Sequence, residues 1–172
     1  MKNKFLSACL VTSLLLLTFV TSKAQDWLEV HNAKGDLVAS ISAHPDNGWI
    51  YINNADAKMI GAISAQPDNG WIYVNNADAK MVGAIEAQAD NGWIYINNSD
   101  AKMIGALAAE PNNGWYDINN SSGNLIAQIS AEPINDWIEV HNSANGNLFL
   151  SVSKGTRTKY ITAFCFFFAS KL

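Results

Sequence analysis

The sequence has little cysteine and little positive charge. Its 172 residues include two cysteines, and eleven basic residues stand against fifteen acidic ones. The three histidines, His31, His44 and His141, are scattered, and no HxH or CxxC pair occurs, so we predict no metal site and no cofactor. A nucleophile elbow or triad signature is also missing, so we predict no catalytic residues and no enzyme.

The first 24 residues have the pattern of a secretory signal peptide. A short basic start, Met1–Lys4, is followed by an apolar run from Phe5 to Val20 and by the small residues Ser22 and Ala24. We predict cleavage after Ala24 and a secreted, bacterial-type protein, located in the periplasm, outside the cell or at its surface. The alternative is an uncleaved anchor, for which the run is somewhat short of the ~20 residues that a span needs.

Removal of residues 1–24 makes the chain strongly acidic. Eight basic residues remain against all fifteen acidic ones, which gives a net charge of −7. This charge argues against nucleic acid as a partner, since that contact requires a basic surface. One cysteine remains, Cys165, so no intramolecular disulfide forms and stability must come from packing. We predict no membrane span in the mature chain.

The remaining chain is a repeat. Its tryptophans lie 22 residues apart, at Trp27, Trp49, Trp71, Trp93, Trp115 and Trp137. A fixed period of this length is typical of stacked or ring-like repeat folds. We therefore divide the chain into the signal peptide (1–24), a domain of six repeats (26–153) and a C-terminal tail (154–172) whose structure the sequence leaves open.

Each repeat reads as strand, turn, strand, turn. With the tryptophan counted as position one, the second and fourth positions are apolar in every copy, as in Ile50 and Ile52, while the third varies between tyrosine and acidic residues. This alternation predicts a strand whose Ile/Val face is buried and whose Trp-Tyr-Asn face points outward. A second strand follows, in which Gly61, Gly83 and Gly105 indicate close approach of a backbone or a bulky side chain.

The predicted fold is all-β: six strand-turn-strand repeats in an open β-solenoid or hairpin stack. The first and sixth units differ from the middle ones, as terminal units of open arrays do. They also resemble each other, in Glu29-Val-His31 and Glu139-Val-His141. Closure into a ring or barrel of six hairpins, the alternative, would make them neighbours and could bring the two Glu/His sets face to face. No segment after residue 24 is predicted to be a helix, and the tail is at most a capping strand.

The outward face is the predicted binding surface. If units stack strand on strand, equivalent side chains lie ~4.8 Å apart, and flat aromatics beside amides suit the faces and hydroxyls of sugars. The alternative is that these side chains only pack on one another. The candidate ligand-binding residues are Trp49, Tyr51, Asn53, Trp71, Tyr73, Asn75, Trp93, Tyr95, Asn97 and Trp115.

Parts of this sequence resemble two known repeat families. The run Trp115-Tyr-Asp-Ile-Asn-Asn-Ser-Ser-Gly-Asn-Leu125 resembles the cell-wall-binding (choline-binding) repeat, as does Trp49–Met59 more loosely. That resemblance implies a β-hairpin solenoid whose aromatics hold choline or cell-wall glycans. The turn here is one residue longer, and Ala62-Ile63 replaces the second aromatic of the family's cage. The 22-residue period also looks like curli-type amyloid subunits, which implies self-association.

The sequence therefore predicts a non-enzymatic protein that binds a glycan or cell-wall polymer through a Trp/Tyr/Asn ladder. A self-assembling structural protein of the surface, amyloid-like or fibrous, is the alternative.

Overall fold

The computed structural model describes residues 26–169, and the predicted signal peptide lies outside them. The described chain forms twelve strands and one helix. The strands are β1 Trp27–Asn32, β2 Leu37–Ser42, β3 Trp49–Asn54, β4 Met59–Ser64, β5 Trp71–Asn76, β6 Met81–Glu86, β7 Trp93–Asn98, β8 Met103–Ala108, β9 Trp115–Asn120, β10 Leu125–Ser130, β11 Trp137–Asn142 and β12 Leu148–Ser153, and the helix is α1 Thr158–Phe167.

The sheet is a closed antiparallel barrel. Each strand pairs with the strands that precede and follow it in the chain, and the first and last strands, β1 and β12, pair with each other, with Val30 opposite Val152. The prediction of repeated two-stranded β units is confirmed. The prediction of an open solenoid is wrong, and the closed ring given as the alternative is the observed fold. The first and sixth units resemble each other and meet at the seam between β12 and β1.

Two kinds of connection join the strands. Within a hairpin the turn is held by one asparagine: Asn54 Oδ1 accepts hydrogen bonds from the backbone N–H of Asp56 (3.1 Å) and Lys58 (3.0 Å). Between hairpins the chain makes a two-residue turn such as Asn69-Gly70, with φ of 49° and 82°. Positive φ at both positions is the requirement of a type I′ turn, for which Asn-Gly is preferred. We call the end of the barrel that carries the turn at residues 54–58 and its equivalents the turn mouth, and the end that carries the Asn69-Gly70 turn and its equivalents the loop mouth.

One aliphatic residue from each strand forms a belt inside the barrel. The predicted inward face is confirmed at the fourth position of every repeat and at the second position of four repeats, whereas Leu28 and Tyr116 are half-buried. The twelve belt residues are no more than 1% exposed: Val30, Ile41, Ile52, Ile63, Val74, Ile85, Ile96, Leu107, Ile118, Ile129, Val140 and Val152.

Helix α1 fills the space inside this belt, so the prediction that no helix follows residue 24 is wrong. Phe164 is fully buried in the same hydrophobic core as the strand residues. A methyl group added to Gly61, Gly83 or Gly105 would collide with the ring of Phe168, Phe167 or Phe166 respectively, and also with a neighbouring backbone carbonyl. The close approach predicted at these glycines is therefore confirmed, and the tail supplies the bulky side chains.

The width of the barrel explains why its interior holds a helix. Tyr51 is opposite Ala62, and Ala62 is opposite Asn75, which lies two residues beyond Tyr73, the equivalent of Tyr51 in the next hairpin. The register therefore advances by two residues per hairpin, or twelve over six hairpins, so the shear number equals the number of strands. Such a barrel has strands tilted by ~36° and a diameter of roughly 23 Å. Its wall lies ~11 Å from the axis, close to the ~10 Å at which packed layers stand apart. One helix fits that space, and it satisfies its own backbone hydrogen bonds there.

The sequence of α1 matches a fully enclosed position rather than a surface helix. After Lys159 in its first turn it has no charged residue, as expected of a buried helix, and its one fully buried hydroxyl, on Thr162, donates to Thr158 O at 2.9 Å. Within residues 26–169 every buried side-chain nitrogen or oxygen has a hydrogen-bond partner. No helix in this part of the chain has the length and hydropathy required of a transmembrane span.

Candidate functional site

The ten predicted site residues lie on the outer face of β3, β5, β7 and β9. Each is half-buried: its exposed fraction is smaller than that of the turn residues and larger than that of the belt residues. The tryptophans begin their strands directly after the Asn-Gly turns, so they form a row at the loop mouth. Tyrosines follow two residues later and asparagines two further on, toward the turn mouth.

The predicted spacing of ~4.8 Å between equivalent residues is wrong. Each aromatic strand is separated from the next by an even-numbered strand, so equivalent residues are two strand spacings, roughly 9.6 Å, apart. The two-residue advance per hairpin also offsets them. Trp49 is opposite Ser64, Tyr73 is opposite Ala84, and Ala84 is opposite Asn97. Tryptophan, tyrosine and asparagine in one row thus come from three successive hairpins.

Small side chains form the floor between the aromatic strands. Ala62, Ala84 and Ala106 point outward yet are only 7–8% exposed. The larger side chains on both flanking strands cover them. The surface therefore has shallow depressions between ridges, and each ridge carries aromatic and amide groups.

Two shallow depressions flank Trp71. One of about 490 Å³ is lined by Trp71, Glu86, Tyr95, Asn97 and Met103, together with Ala101. A second, of about 410 Å³, shares Trp71 and Glu86 and extends to the loop mouth. An indole, a phenol, an amide and a carboxylate thus converge on one stretch of the surface.

Glu86 is the site residue that the sequence analysis missed. Its carboxylate accepts a hydrogen bond from the Tyr95 N–H at 3.0 Å. The same task is done by serine in other repeats, as where Ser64 Oγ accepts from the Tyr73 N–H at 2.9 Å. Comparison of the copies would have found it, because the equivalent residues are Ser42, Ser64, Glu86, Ala108, Ser130 and Ser153.

The seam holds a different set of side chains. His31 and His141 each bind the glutamate two residues earlier on the same strand, at 2.9 and 2.8 Å. Their rings meet the edges of Trp137 and Trp115, with centroids 4.9 Å apart in both cases. The first and sixth units are neighbours, as a closed ring requires, but each Glu/His pair is completed within its own strand.

The pKa of His31 is raised. Burial acts to lower it, but the hydrogen bonds to Gly35 O and Glu29 and the charges of Glu29 and Asp36 outweigh burial. Both ring nitrogens face acceptors, a carbonyl on one side and a carboxylate on the other, which favours the doubly protonated ring. Protonation of the ring therefore strengthens both of these contacts, which hold His31 in place at the seam.

No group of three or more His, Cys, Asp or Glu side chains within residues 26–169 is arranged to hold a metal ion.

The fold and surface together define a twelve-stranded β-barrel of hairpin repeats with a helix-filled interior and an aromatic outer face. No family model and no curated protein matches the sequence. Among solved structures, the chain is similar to an Arabidopsis thaliana protein, with 6% identity, 81% of this chain and 88% of that chain covered, and a TM-score of 0.49.

Proposed function

We propose that this protein is a secreted, non-enzymatic binder of a glycan or cell-wall polymer, and that the ligand lies across the outer face around Trp71. The observation that carries the proposal is the pair of depressions that share Trp71 and Glu86. The flat face of an indole suits the apolar face of a sugar ring. The Asn97 amide, the Tyr95 hydroxyl and the Glu86 carboxylate supply donors and acceptors for its hydroxyls.

The repeat extends this surface beyond one subsite. The neighbouring hairpins present Trp49 with Tyr73 and Asn75, and Trp93 with Asn119, in equivalent positions. A polymer with repeating units can contact several subsites at once, and linked contacts raise the overall affinity without any new kind of interaction. This favours a polysaccharide over a monosaccharide.

Barrel closure supports binding over the alternative of fibre assembly. Strand addition needs an unpaired edge, and in residues 26–169 every strand has two partners. Self-association through side chains remains compatible with the proposal. Sedimentation of residues 25–172 tests it, and a population of long fibres would favour the structural alternative.

The binding test uses affinity electrophoresis and calorimetry with soluble cell-wall fragments and neutral polysaccharides. We expect Trp71→Ala to weaken binding by roughly 5- to 150-fold, since stacking on an aromatic side chain contributes on the order of 1–3 kcal/mol. Glu86→Ser, which restores the residue of the neighbouring repeats, is expected to weaken binding without loss of stability.

Trp137→Ala is the matched control, because Trp137 occupies the same repeat position but makes an edge-to-face contact with His31 at the seam. Unchanged affinity in Trp71→Ala, or equal losses in Trp71→Ala and Trp137→Ala, would contradict the proposed surface. The absence of any saturable binding to these polymers would contradict the proposed function.

A further inference from the structure

A cavity of about 520 Å³ opens at the loop mouth, between the first turn of α1 and the inner wall of the barrel. It arises because α1 packs against the wall formed by Gly61, Gly83 and Gly105 near the turn mouth. At the other end of the helix, small residues such as Ala65, Ala87 and Ala109 line the cavity and leave it open. Its volume lies within the range of small-molecule sites, roughly 300–1000 Å³, and barrel mouths are frequent places for such sites.

The cavity has an apolar wall. Ile72, Ile94 and Leu107 line it from three strands, and Tyr116 and Tyr160 add two aromatic rings. These side chains suit a hydrocarbon group and do not supply hydrogen bonds along most of the surface. The polar groups Gln66 and Thr158 also line the cavity, so a purely polar ligand such as a sugar would find partners on one side and an apolar wall on the other.

The charged side chains of the cavity are both basic. Lys159 and Arg157 line it, and none of its lining residues is acidic. The Lys159 ammonium donates one hydrogen bond to Ala87 O, and an ammonium has three donors. Burial lowers the pKa of Lys159, so an anion beside it would offset the cost of keeping it charged. Arg157 lies over the Tyr160 ring, 5.7 Å from its centroid.

We propose that this cavity binds a small amphipathic carboxylate, such as a medium-chain fatty acid, with its carboxylate at Lys159 and Arg157 and its chain against Ile72, Ile94 and Leu107. The loops around the mouth carry the exposed carboxylates Asp46, Asp68 and Asp90. These repel extended polyanions and anionic surfaces more than a single small anion that enters the cavity. The cavity shares Pro67 and Ala87 with the outer depression beside Trp71, but it opens toward the inside of the barrel, whereas the indole and carboxylate of the glycan surface lie on the outside of the wall.

The test is calorimetric titration of the mature chain with decanoate below its micellar concentration and with decan-1-ol, its neutral counterpart. We expect saturable binding of one decanoate, and at least about tenfold weaker binding of the alcohol, because hydrogen bonds to charged groups are the stronger ones. Lys159→Met is expected to lower this preference for the acid, because one of the two cations is lost. Lys159→Arg should retain it, and so should the control Lys102→Met, which changes an exposed lysine in a turn of the other mouth.

A second variant tests the location independently of charge. Ala109→Phe places a ring in the cavity while both cations remain, and it is expected to abolish decanoate binding with the thermal unfolding transition intact. If Lys159→Met fails to fold, this variant decides the question. The proposal is overturned if wild-type protein does not bind decanoate, if the alcohol binds equally well, or if Ala109→Phe binds decanoate like the wild type.

Discussion

The interior helix should contribute a large part of the stability, and Phe164 is the residue at which this can be measured. It is fully buried, and its ring stacks on that of Phe168 with centroids 6.3 Å apart. Phe164→Ala removes roughly 100 Å³ of side chain, which at ~24 cal/mol per Å³ of cavity gives about 2.4 kcal/mol. Lost transfer free energy adds about 2 kcal/mol, so we expect the unfolding free energy to fall by ~4 kcal/mol.

Urea unfolding followed by tryptophan fluorescence measures this loss. With a denaturant slope of ~2 kcal/mol per molar, the midpoint should fall by about 2 M. Phe149→Ala is the control, because Phe149 is 42% exposed and surface changes are usually within about 0.5 kcal/mol. Equal midpoints for the two variants would refute the position of α1 in the core. The same conclusion would follow if a chain ending at residue 156 unfolded at the wild-type midpoint.

Three further predictions concern single contacts. Gly83→Ala should destabilise the barrel by about 1–3 kcal/mol, because the new methyl group meets Phe167; a thermal melt unchanged from wild type would contradict the contact. Ala79→Gly should stabilise it by about 1 kcal/mol, since Ala79 holds φ of 57° and left-handed alanine costs ~1–2 kcal/mol; a lower urea midpoint would argue against strain there. Because the pKa of His31 is raised in the folded protein, protonation of this side chain stabilises the fold. The contribution is complete below the unfolded pKa of ~6.5 and is lost as the pH rises through the folded pKa. Wild type should therefore lose more unfolding free energy than His31→Gln between pH 5.5 and pH 8, and equal losses would exclude the effect.

The hairpins could be predicted from the sequence because their determinants are local. Alternation from Trp49 to Asn53, the Asn-Gly turn before Trp71 and the glycine at position 61 each specify a backbone geometry over a few residues. Ring closure could not be predicted in this way. It depends on shear and strand number summed over all six units, and atypical terminal repeats also fit an open array.

The helix was missed for a related reason. Residues such as Tyr160, Ile161 and Thr162 favour strands when considered alone, and the segment carries no clear helix cap. Tertiary context overrides such weak local preferences. The outward position of the candidate site residues followed from the alternation. Their offset across hairpins required the register, and Glu86 required a comparison of the repeats with one another.

Repeat number and interior helix are linked by geometry. Eight strands make a barrel that side chains alone can fill, whereas twelve leave a core wide enough for a helix. The second, third and fourth repeats contact the helix at Gly61, Gly83 and Gly105, and their aromatic side chains remain on the outer face. Loss of one hairpin would narrow the wall around α1, and a seventh would leave a gap beside it. We therefore expect variants that lack or duplicate one 22-residue repeat to unfold at lower urea concentration than the natural chain, although every local hairpin contact is kept. An unchanged midpoint in both variants would show that the helix adapts to the barrel rather than fixing its size.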